Sequence, residues 1–545
     1  GRGATTRLDT FPGRPLRSKW QGNTIDICPV GALTSRVFRF EARVWELTDT
    51  PSVCPLCGIG CNIVLGIKNN KLRRITPREN MEVNDAWICD KGRFGHAYVD
   101  DPGRLTTPLI RQDGQLQPAS WDEALDLVAR RLAQIGRDQG PQAIAGLGSS
   151  RVTNEANYLF QRFMRTGAGT NSVDHLGRMP VGAVPLSSLP ELEQRDLILL
   201  LGCDPSNEAP LVELWVKKAV LRQGATVLVA NPRRIELARY GGPWLGYRPG
   251  TEAILLQGLA RAVLDAGLED RPERGTTARA TNLEEFRAWL KPFSAQEVVR
   301  ITGVPGRALE QAAQALVQAQ RPMVLYGPAW AQSFTGDKDR PLALVESLAN
   351  LALLLGGAEA AFVAPENNTL GALEMGVVPD LYPGGQPFAD TKVRSRLASL
   401  WGGRLSPLRG FDFDGMVSAA LEGSLEALWI MGVDPARGAD PARGRRRAGQ
   451  ALGQVPFLVV QDLFLTETAS LAEVVLPAAS FAETDGSLTN MTGRWQALNA
   501  AKRPPGQARS DWWIIAEVAS RMVDDKRRRS WQLNGPADVL SEICR

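Results

Sequence analysis

The stretch 54-CPLCGIGC-61, together with one further cysteine in 86-AWICDKGRFGH-96, decides how this chain reads. Four of its seven cysteines sit in these two places, spaced Cys54-x2-Cys57-x3-Cys61, then 27 residues, then Cys89. Zinc sites usually present two short pairs, such as C-x2-C with a distant C-x2-C or H-x3-H. Here three thiols fall within eight residues and the fourth stands alone. Three ligands on one tight loop suit three corners of an iron–sulfur cubane, and a distant residue closes the last corner. Gly58 and Gly60 let the loop curl without Cβ clashes, and Pro55 stiffens its first turn. The spacing favours a [4Fe–4S] cluster on Cys54, Cys57, Cys61 and Cys89; zinc and unligated structural cysteines are the alternatives. The intervening 62-NIVLGIKNNKLRRITP-77 reads as a hairpin turning at Asn69-Asn70, so a small β domain wraps the cluster.

At 545 residues the chain is too long for one core. A net charge of +4 gives no case for nucleic acid, and no run of 18 apolar residues is present to span a membrane. The short basic runs 443-RGRRR-447 and 526-KRRR-529 read as solvated surface. The N-terminus, GRGATTRLDTFPGRP, has neither an initiator Met nor an apolar signal core, and reads as part of something longer. Clustered rather than evenly paired cysteines argue against a secreted disulfide framework and for a reducing, cytoplasm-like compartment. Cys203 and Cys544 have no partners nearby in sequence and read as core or surface thiols. Cys28, in 25-IDICPVGAL-33, reads either as a buried cysteine or as the last ligand of a cluster whose other ligands lie upstream.

From about residue 104 strand-like and helix-like segments alternate, which predicts α/β architecture with parallel sheets. The helix over 120-SWDEALDLVARRLAQIG-136 opens with Ser120 and Glu123 in capping-box positions. Strands are expected in 142-QAIAGLG-148, 197-LILLLGCDP-205, 226-TVLVANPRR-234, 323-MVLYGPAW-330, 427-ALWIMGVDP-435 and 457-FLVVQDLF-464, with a helix over 154-NEANYLFQRFMRT-166. Each strand ends where a ligand crevice opens in such sheets. No G-x-G-x-x-G opens a helix, so a nicotinamide dinucleotide site is not expected. With two histidines, His96 and His175, neither a Ser-His-Asp triad nor a histidine-rich metal centre finds candidates.

The cluster loop, 87-WICDKGRFG-95, 148-GSSRVTNEANYLFQRFMRT-166, 171-NSVDHLGR-178, Arg248-Pro249-Gly250 with 251-TEAILLQGLARAV-263, and above all 462-DLFLTETASLAEVVLPAASFAETDGSLTNMTGRWQ-496 resemble the molybdopterin oxidoreductases. The resemblance runs from about residue 47 to 500; formate dehydrogenase and dissimilatory nitrate reductase are catalytic members. The stretch 22-GNTIDICPVGALTSR-36 followed by 42-ARVWEL-47 resembles one branch, the iron–sulfur subunits of NADH-quinone oxidoreductase, respiratory complex I. That branch carries the fold without molybdenum, with further iron–sulfur clusters in an N-terminal part not present here.

The resemblance implies three regions: 1–46, remnant of a ferredoxin-like iron–sulfur region; 47–103, the [4Fe–4S] domain; and 104–545, a non-catalytic molybdopterin-oxidoreductase-like α/β region with doubly wound parallel sheets. It implies Cys54, Cys57, Cys61 and Cys89 as cluster ligands, no molybdopterin and no catalytic residue. Carrying the formate dehydrogenase motif across 173–178 puts the metal's Cys or selenocysteine at Pro180 and the following His at Val181, which can neither ligate molybdenum nor relay a proton. Lys91 matches the lysine that lies between cluster and pterin in catalytic members. The implied role is an electron-transfer and scaffold subunit of the complex's peripheral arm, on the cytoplasmic side of a bacterial inner membrane. Its partners would be the flavin/NADH-binding and quinone-side iron–sulfur subunits. The alternative is a molybdenum-dependent enzyme of formate dehydrogenase type.

Overall fold

The computed structural model describes residues 3–6, 9–177, 185–266, 282–327, 340–437 and 445–545. The expectations for Pro180 and Val181, and for Arg443 in the first basic run, fall outside them. The hairpin read from 62–77 organises the first sheet. Strand β1 (Thr48–Val53) pairs antiparallel with β2 (Asn62–Lys68), and β2 with β3 (Lys71–Pro77). Asn69 and Asn70 take φ of 54° and 58°, the left-handed pair of a tight hairpin turn, which asparagine tolerates better than most residues. Ile63, Leu65 and Ile67 of β2 are buried.

The apolar runs that follow become strands in chain order. They are β4 (Leu109–Gln112), β5 (Gln115–Pro118), β6 (Ile144–Gly148) and β7 (Val173–His175). Then come β8 (Leu197–Leu201), β9 (Thr226–Ala230), β10 (Trp244–Leu245), β11 (Pro322–Tyr326) and β12 (Glu359–Phe362). The last group is β13 (Leu381–Tyr382), β14 (Gln386–Pro387), β15 (Ala427–Met431), β16 (Phe457–Asp462), β17 (Val474–Pro477), β18 (Gly486–Thr489) and β19 (Trp495–Leu498).

Two sheets carry the α/β architecture. One is ordered β10-β9-β8-β11-β12 and is parallel throughout. The other is ordered β5-β4-β17-β16-β15-β6-β7, parallel from β17 to β7, with β4 and β5 added antiparallel at its edge. The first sheet is thus inserted in sequence between β7 and β15 of the second. Strands β6, β8, β11 and β15 are buried along their whole length, which is why they read as continuous apolar runs without alternation. Strand order reverses between β8 and β11 in one sheet and between β6 and β15 in the other. These switch points open ligand crevices beyond the carboxyl ends of doubly wound sheets. Helix Trp121–Asp138 carries the expected capping box: the Glu123 N–H donates to Ser120 Oγ at 3.2 Å, and the Ser120 N–H to the Glu123 carboxylate at 2.8 Å. Helix Asn154–Thr166 is buried over nearly its full length, its Arg165 donating to the carbonyls of Gly376, Val378 and Leu381. The run at 526–529 is surface: Arg527 and Arg528 pair with Asp524 and Asp525. Among the described residues no helix is long and apolar enough to cross a membrane.

A buried ionic knot bolts the cluster sheet to the rest. Glu483, its side chain wholly buried, pairs with Arg104 and Lys502 at 2.8 Å each. Lys502 also reaches Asp100 at 3.2 Å, and the Asp100 carboxylate accepts the Leu72 N–H of β3 at 2.8 Å. Burial alone would push the Glu483 carboxyl up, but the hydrogen bonds and charge of Arg104 and Lys502 hold it below its ordinary value. Among the described residues no cation pairs with Asp511. Burial pushes its carboxyl up to about 7, Asp462 adds repulsion, and the Gln461 side chain, donating at 2.5 Å, opposes.

Two stability outcomes are expected. Glu483→Ala strands two buried cations and should cost about 3–5 kcal/mol in a denaturant titration. The wild-type contribution of Glu483 should be full above its ordinary pKa of 4.5 and fade as pH falls below it. Asp511 has the opposite sign, because its folded-state pKa is raised: its contribution is full below 3.8 and lost as pH rises through about 7. Melting curves of Asp511→Asn should therefore show a gain over wild type that widens across that window. A gain independent of pH would contradict the assignment.

Candidate metal centre

The β1–β2 connection is the cysteine loop. Its base is closed by the Cys54 N–H donating to the Cys61 carbonyl at 2.9 Å, and its tip by the Gly60 N–H donating to the Cys57 carbonyl at 3.3 Å. The loop turns its sulfurs inward and hands its carbonyls to residues from distant parts of the chain. Asn367 Nδ2 donates to the Cys54 carbonyl at 2.6 Å, Asn490 Nδ2 to Ile59 at 3.1 Å, and Gln496 Nε2 to Gly60 at 2.9 Å. The Met491 N–H donates to the Gly58 carbonyl at 2.7 Å, and the Gly58 N–H to Ala364 at 3.1 Å. The β18–β19 hairpin and the segment after β12 therefore grip the loop. This also explains its glycines. A Cβ at Gly58 would lie 2.5 Å from the Ala364 carbonyl oxygen, and one at Gly60, where φ is +63°, 2.4 Å from Gln496 Oε1. The crowding they relieve comes from the large α/β region.

Cys89 caps the short helix Asp90–Phe94, its Sγ accepting the Gly92 N–H at 3.4 Å. A Cβ on Gly92 would stand 3.3 Å from Cys54 Sγ, so the loop and the helical turn meet at that residue. All four thiols are buried, with 4–7% exposure. Burial first, and then the other thiols, raise Cys54 and Cys61 well above the ordinary thiol value; burial and the Cys89 charge push Cys57 up to about 11. Burial also raises Cys89, opposed by the Gly92 N–H and the Lys91 charge. Each sulfur has a main-chain donor that favours its thiolate: Leu56 for Cys54, Ile59 for Cys57, its own amide for Cys61, and Gly92 and Lys91 for Cys89. A set of buried, mutually facing thiols with amide donors fits an iron–sulfur cluster, whose cationic irons deprotonate their ligands. Among the described residues no three His, Cys, Asp or Glu side chains converge to chelate one ion.

Lys91 is exposed, and its charge reaches Cys54, Cys57 and Cys89 on one side and Glu208 on the other. Cys28 is half-buried, Cys203 buried and Cys544 exposed, as separate thiols. His175 is buried and its Nδ1–H donates to the Val377 carbonyl at 2.8 Å. His96 is half-buried and its pKa is lowered by burial.

Buried polar side chains lie beyond several strand ends, where crevices open in such sheets. Ser149 and Ser150 follow β6, Asp204 and Ser206 follow β8, Asn231 follows β9, and Gln461 lies in the last turn of β16, all buried. Asp204 Oδ1, Ser206 Oγ, Asn367 Oδ1, Gln461 Oε1 and Ser480 Oγ lack hydrogen-bond partners among the described residues. Buried acceptors of this kind call for donors, and the amines and hydroxyls of a pterin dinucleotide supply them. The residues present thus fit such a group. Sequence reasoning did not reach Asn367, Asn490 and Gln496 as loop anchors or Asp462 and Asp511 as buried acids. No local pattern marks the three anchors, because the loop carbonyls they meet lie far away in the chain.

Known proteins resemble the chain along its whole length. Residues 104–521 match the family model of molybdopterin oxidoreductases, residues 47–101 that of the molybdopterin oxidoreductase Fe4S4 domain, and residues 1–34 the ferredoxin-like domain of NADH-quinone oxidoreductase subunit 3. The NADPH-Fe(3+) oxidoreductase subunit alpha of Geobacter sulfurreducens is 34% identical over 100% of this chain and 63% of its own length. An NADH-quinone oxidoreductase subunit of Rhizobium meliloti, designated G 2, is 33% identical over 100% of this chain and 61% of its own. Formate dehydrogenase H of Escherichia coli is 34% identical over 86% of this chain and 68% of its own. The chain therefore spans less than two thirds of the first two. The acetylene hydratase of Pelobacter acetylenicus shares the fold, with a TM-score of 0.71 and 18% identity over 90% of this chain and 71% of that one. The pterin-domain match gives no support to the expectation that this chain lacks molybdopterin. With one family model matched across residues 104–521 and its Fe4S4 domain across 47–101, the chain belongs to the molybdopterin oxidoreductase family.

Proposed function

We propose that this chain is the iron–sulfur electron-transfer and scaffold subunit of an NADH:quinone oxidoreductase of complex I type, with Cys54, Cys57, Cys61 and Cys89 as the ligands of a [4Fe–4S] cluster. The observation that carries this reading is coverage. The NADH-quinone oxidoreductase subunit of Rhizobium meliloti aligns across 100% of the chain, the Cys28 segment included, whereas the formate dehydrogenase H alignment covers 86%. The match of residues 1–34 to a ferredoxin-like domain of the quinone-reducing complex points the same way. When bound, the cluster exchanges single electrons. The chain's own part is to hold the four thiolates, direct amide donors at their sulfurs and keep water away. NADH oxidation and quinone reduction belong, on this reading, to flavin-binding and quinone-side partner subunits. The complex would sit peripherally on the cytoplasmic face of a bacterial inner membrane.

A second reading, a molybdenum enzyme of formate dehydrogenase type, is favoured by the unpartnered acceptors in the crevice and by the identity to formate dehydrogenase H. It is opposed by Pro180, which stands where the resemblance puts the metal's cysteine or selenocysteine ligand. Metal analysis of anaerobically prepared protein separates the readings. The first expects about four irons per chain and a low-temperature EPR signal on reduction. Molybdenum in near-equal amount to the protein would favour the second reading, and colourless protein holding zinc would refute both. Cys57→Ala should abolish the EPR signal of the reduced cluster; an unchanged signal would overturn the ligand assignment.

A further inference from the structure

Twenty-seven residues separate Cys89 from the loop that carries the other three thiols, and the main chain on either side of it is held by residues 19–26. Before it, the side-chain amide of Asn23 brackets Ile88. Asn23 Nδ2 donates to the Ile88 carbonyl at 2.8 Å, and its Oδ1 accepts the Ile88 N–H at 3.4 Å. After it, the Asp90 N–H donates to the Lys19 carbonyl at 2.7 Å, and the Asp90 carboxylate accepts the N–H groups of Gln21 at 3.0 Å and Gly22 at 2.7 Å. Arg93, one turn on and buried, donates to Asn23 Oδ1 at 3.2 Å and pairs with Asp26. The fit is close: a Cβ on Gly22 would lie 2.3 Å from the Arg93 side chain. Lys19 Nζ meanwhile reaches across to the Ser206 carbonyl and Asn207 beyond β8.

From this arrangement we infer that Asn23 is a positioning residue for Cys89, and that through it the segment 19–26 sets the reduction potential of the cluster. The inference rests on the reading of Cys89 as a cluster ligand. The physical route is short. Cys89 Sγ caps the turn Asp90–Phe94 and accepts the Gly92 N–H. An N–H···S bond stabilises the added electron of a reduced cluster, and cluster potentials follow such bonds and solvent exposure. The angle at which Gly92 meets the sulfur depends on where Ile88 and Asp90 are held. Asn23 makes both bonds to Ile88 and one to Arg93, so its side chain fixes the approach to Cys89 from one side and the helical turn from the other. Its hydrogen bonds go to main chain and to Arg93, not to a thiol, which sets it apart from a ligand.

The test is an EPR-monitored redox titration of the intact chain, comparing wild type with three variants. Asn23→Ala should keep wild-type iron content but shift the midpoint potential downward, with altered g-values, as the Gly92 hydrogen bond slackens. Asn23→Ser, which can keep one of the bonds to Ile88, should shift less in the same direction. Thr24→Ala, an exposed neighbour on the same turn, should shift neither quantity. Wild-type potential and g-values in both Asn23 variants would overturn the inference while leaving the cluster reading intact. Wild-type protein without iron would remove the cluster reading, and this inference with it.

Discussion

The structure turns on one constraint: a loop that presents its sulfurs inward must satisfy its carbonyls outward. Buried main-chain acceptors left unpaired would cost more than most single contacts return. The chain meets this by sending Asn367, Asn490 and Gln496 to the carbonyls of Cys54, Ile59 and Gly60. Those side chains come from segments more than three hundred residues away. The cluster loop therefore takes its shape only once the large α/β region has folded around it. The small β domain and the doubly wound sheets are one structural problem, even though they read as separate regions.

The Glu483 knot follows the same logic by charge. A wholly buried carboxylate is tolerable here because Arg104 and Lys502 flank it, and breaking such a set costs more than forming it gains. Its position matters more than its strength. Asp100 and Arg104 lie where the cluster domain meets the α/β region, and Glu483 and Lys502 border the β18–β19 hairpin that grips the loop. Hydrogen bonds and ion pairs thus fix the same two parts against each other from two sides. Asp511 and Asp462 mark the opposite case, in which burial outweighs the groups that oppose it, the Arg151 charge at Asp462 included, and raises a carboxyl toward the neutral range. They lie at the carboxyl end of β16, beside the crevice.

What was legible in the sequence was what local spacing controls. The Asn69-Asn70 turn, the Ser120–Glu123 cap, helix Asn154–Thr166 and the buried parallel strands each carry their signal within a dozen or so residues, and each formed as read. The clustering of four cysteines was legible for the same reason. The glycines were legible in kind but not in cause: Gly58 and Gly60 avoid clashes with Ala364 and Gln496. No rule of spacing could find those neighbours, because they depend on how the two sheets close over the loop. The insertion of one sheet between β7 and β15 was hidden in the same way. Both sheets present the same alternation of strand and helix, and strand order leaves no trace in hydropathy.

A shared fold is weak evidence for a shared reaction, since function resides in sites grafted on it. This chain holds two such sites side by side, and they point in different directions. The thiols are complete and enclosed, with amide donors aimed at each sulfur, which suits electron storage. The crevice keeps unpartnered acceptors at Asp204, Ser206, Gln461 and Asn367, which suits a polar ligand. The charge of the exposed Lys91 favours the ionised form of three of the thiols and of Glu208. One architecture can therefore carry a one-electron centre and a polar ligand site together, and the residues at each site, not the fold, decide which chemistry a chain performs.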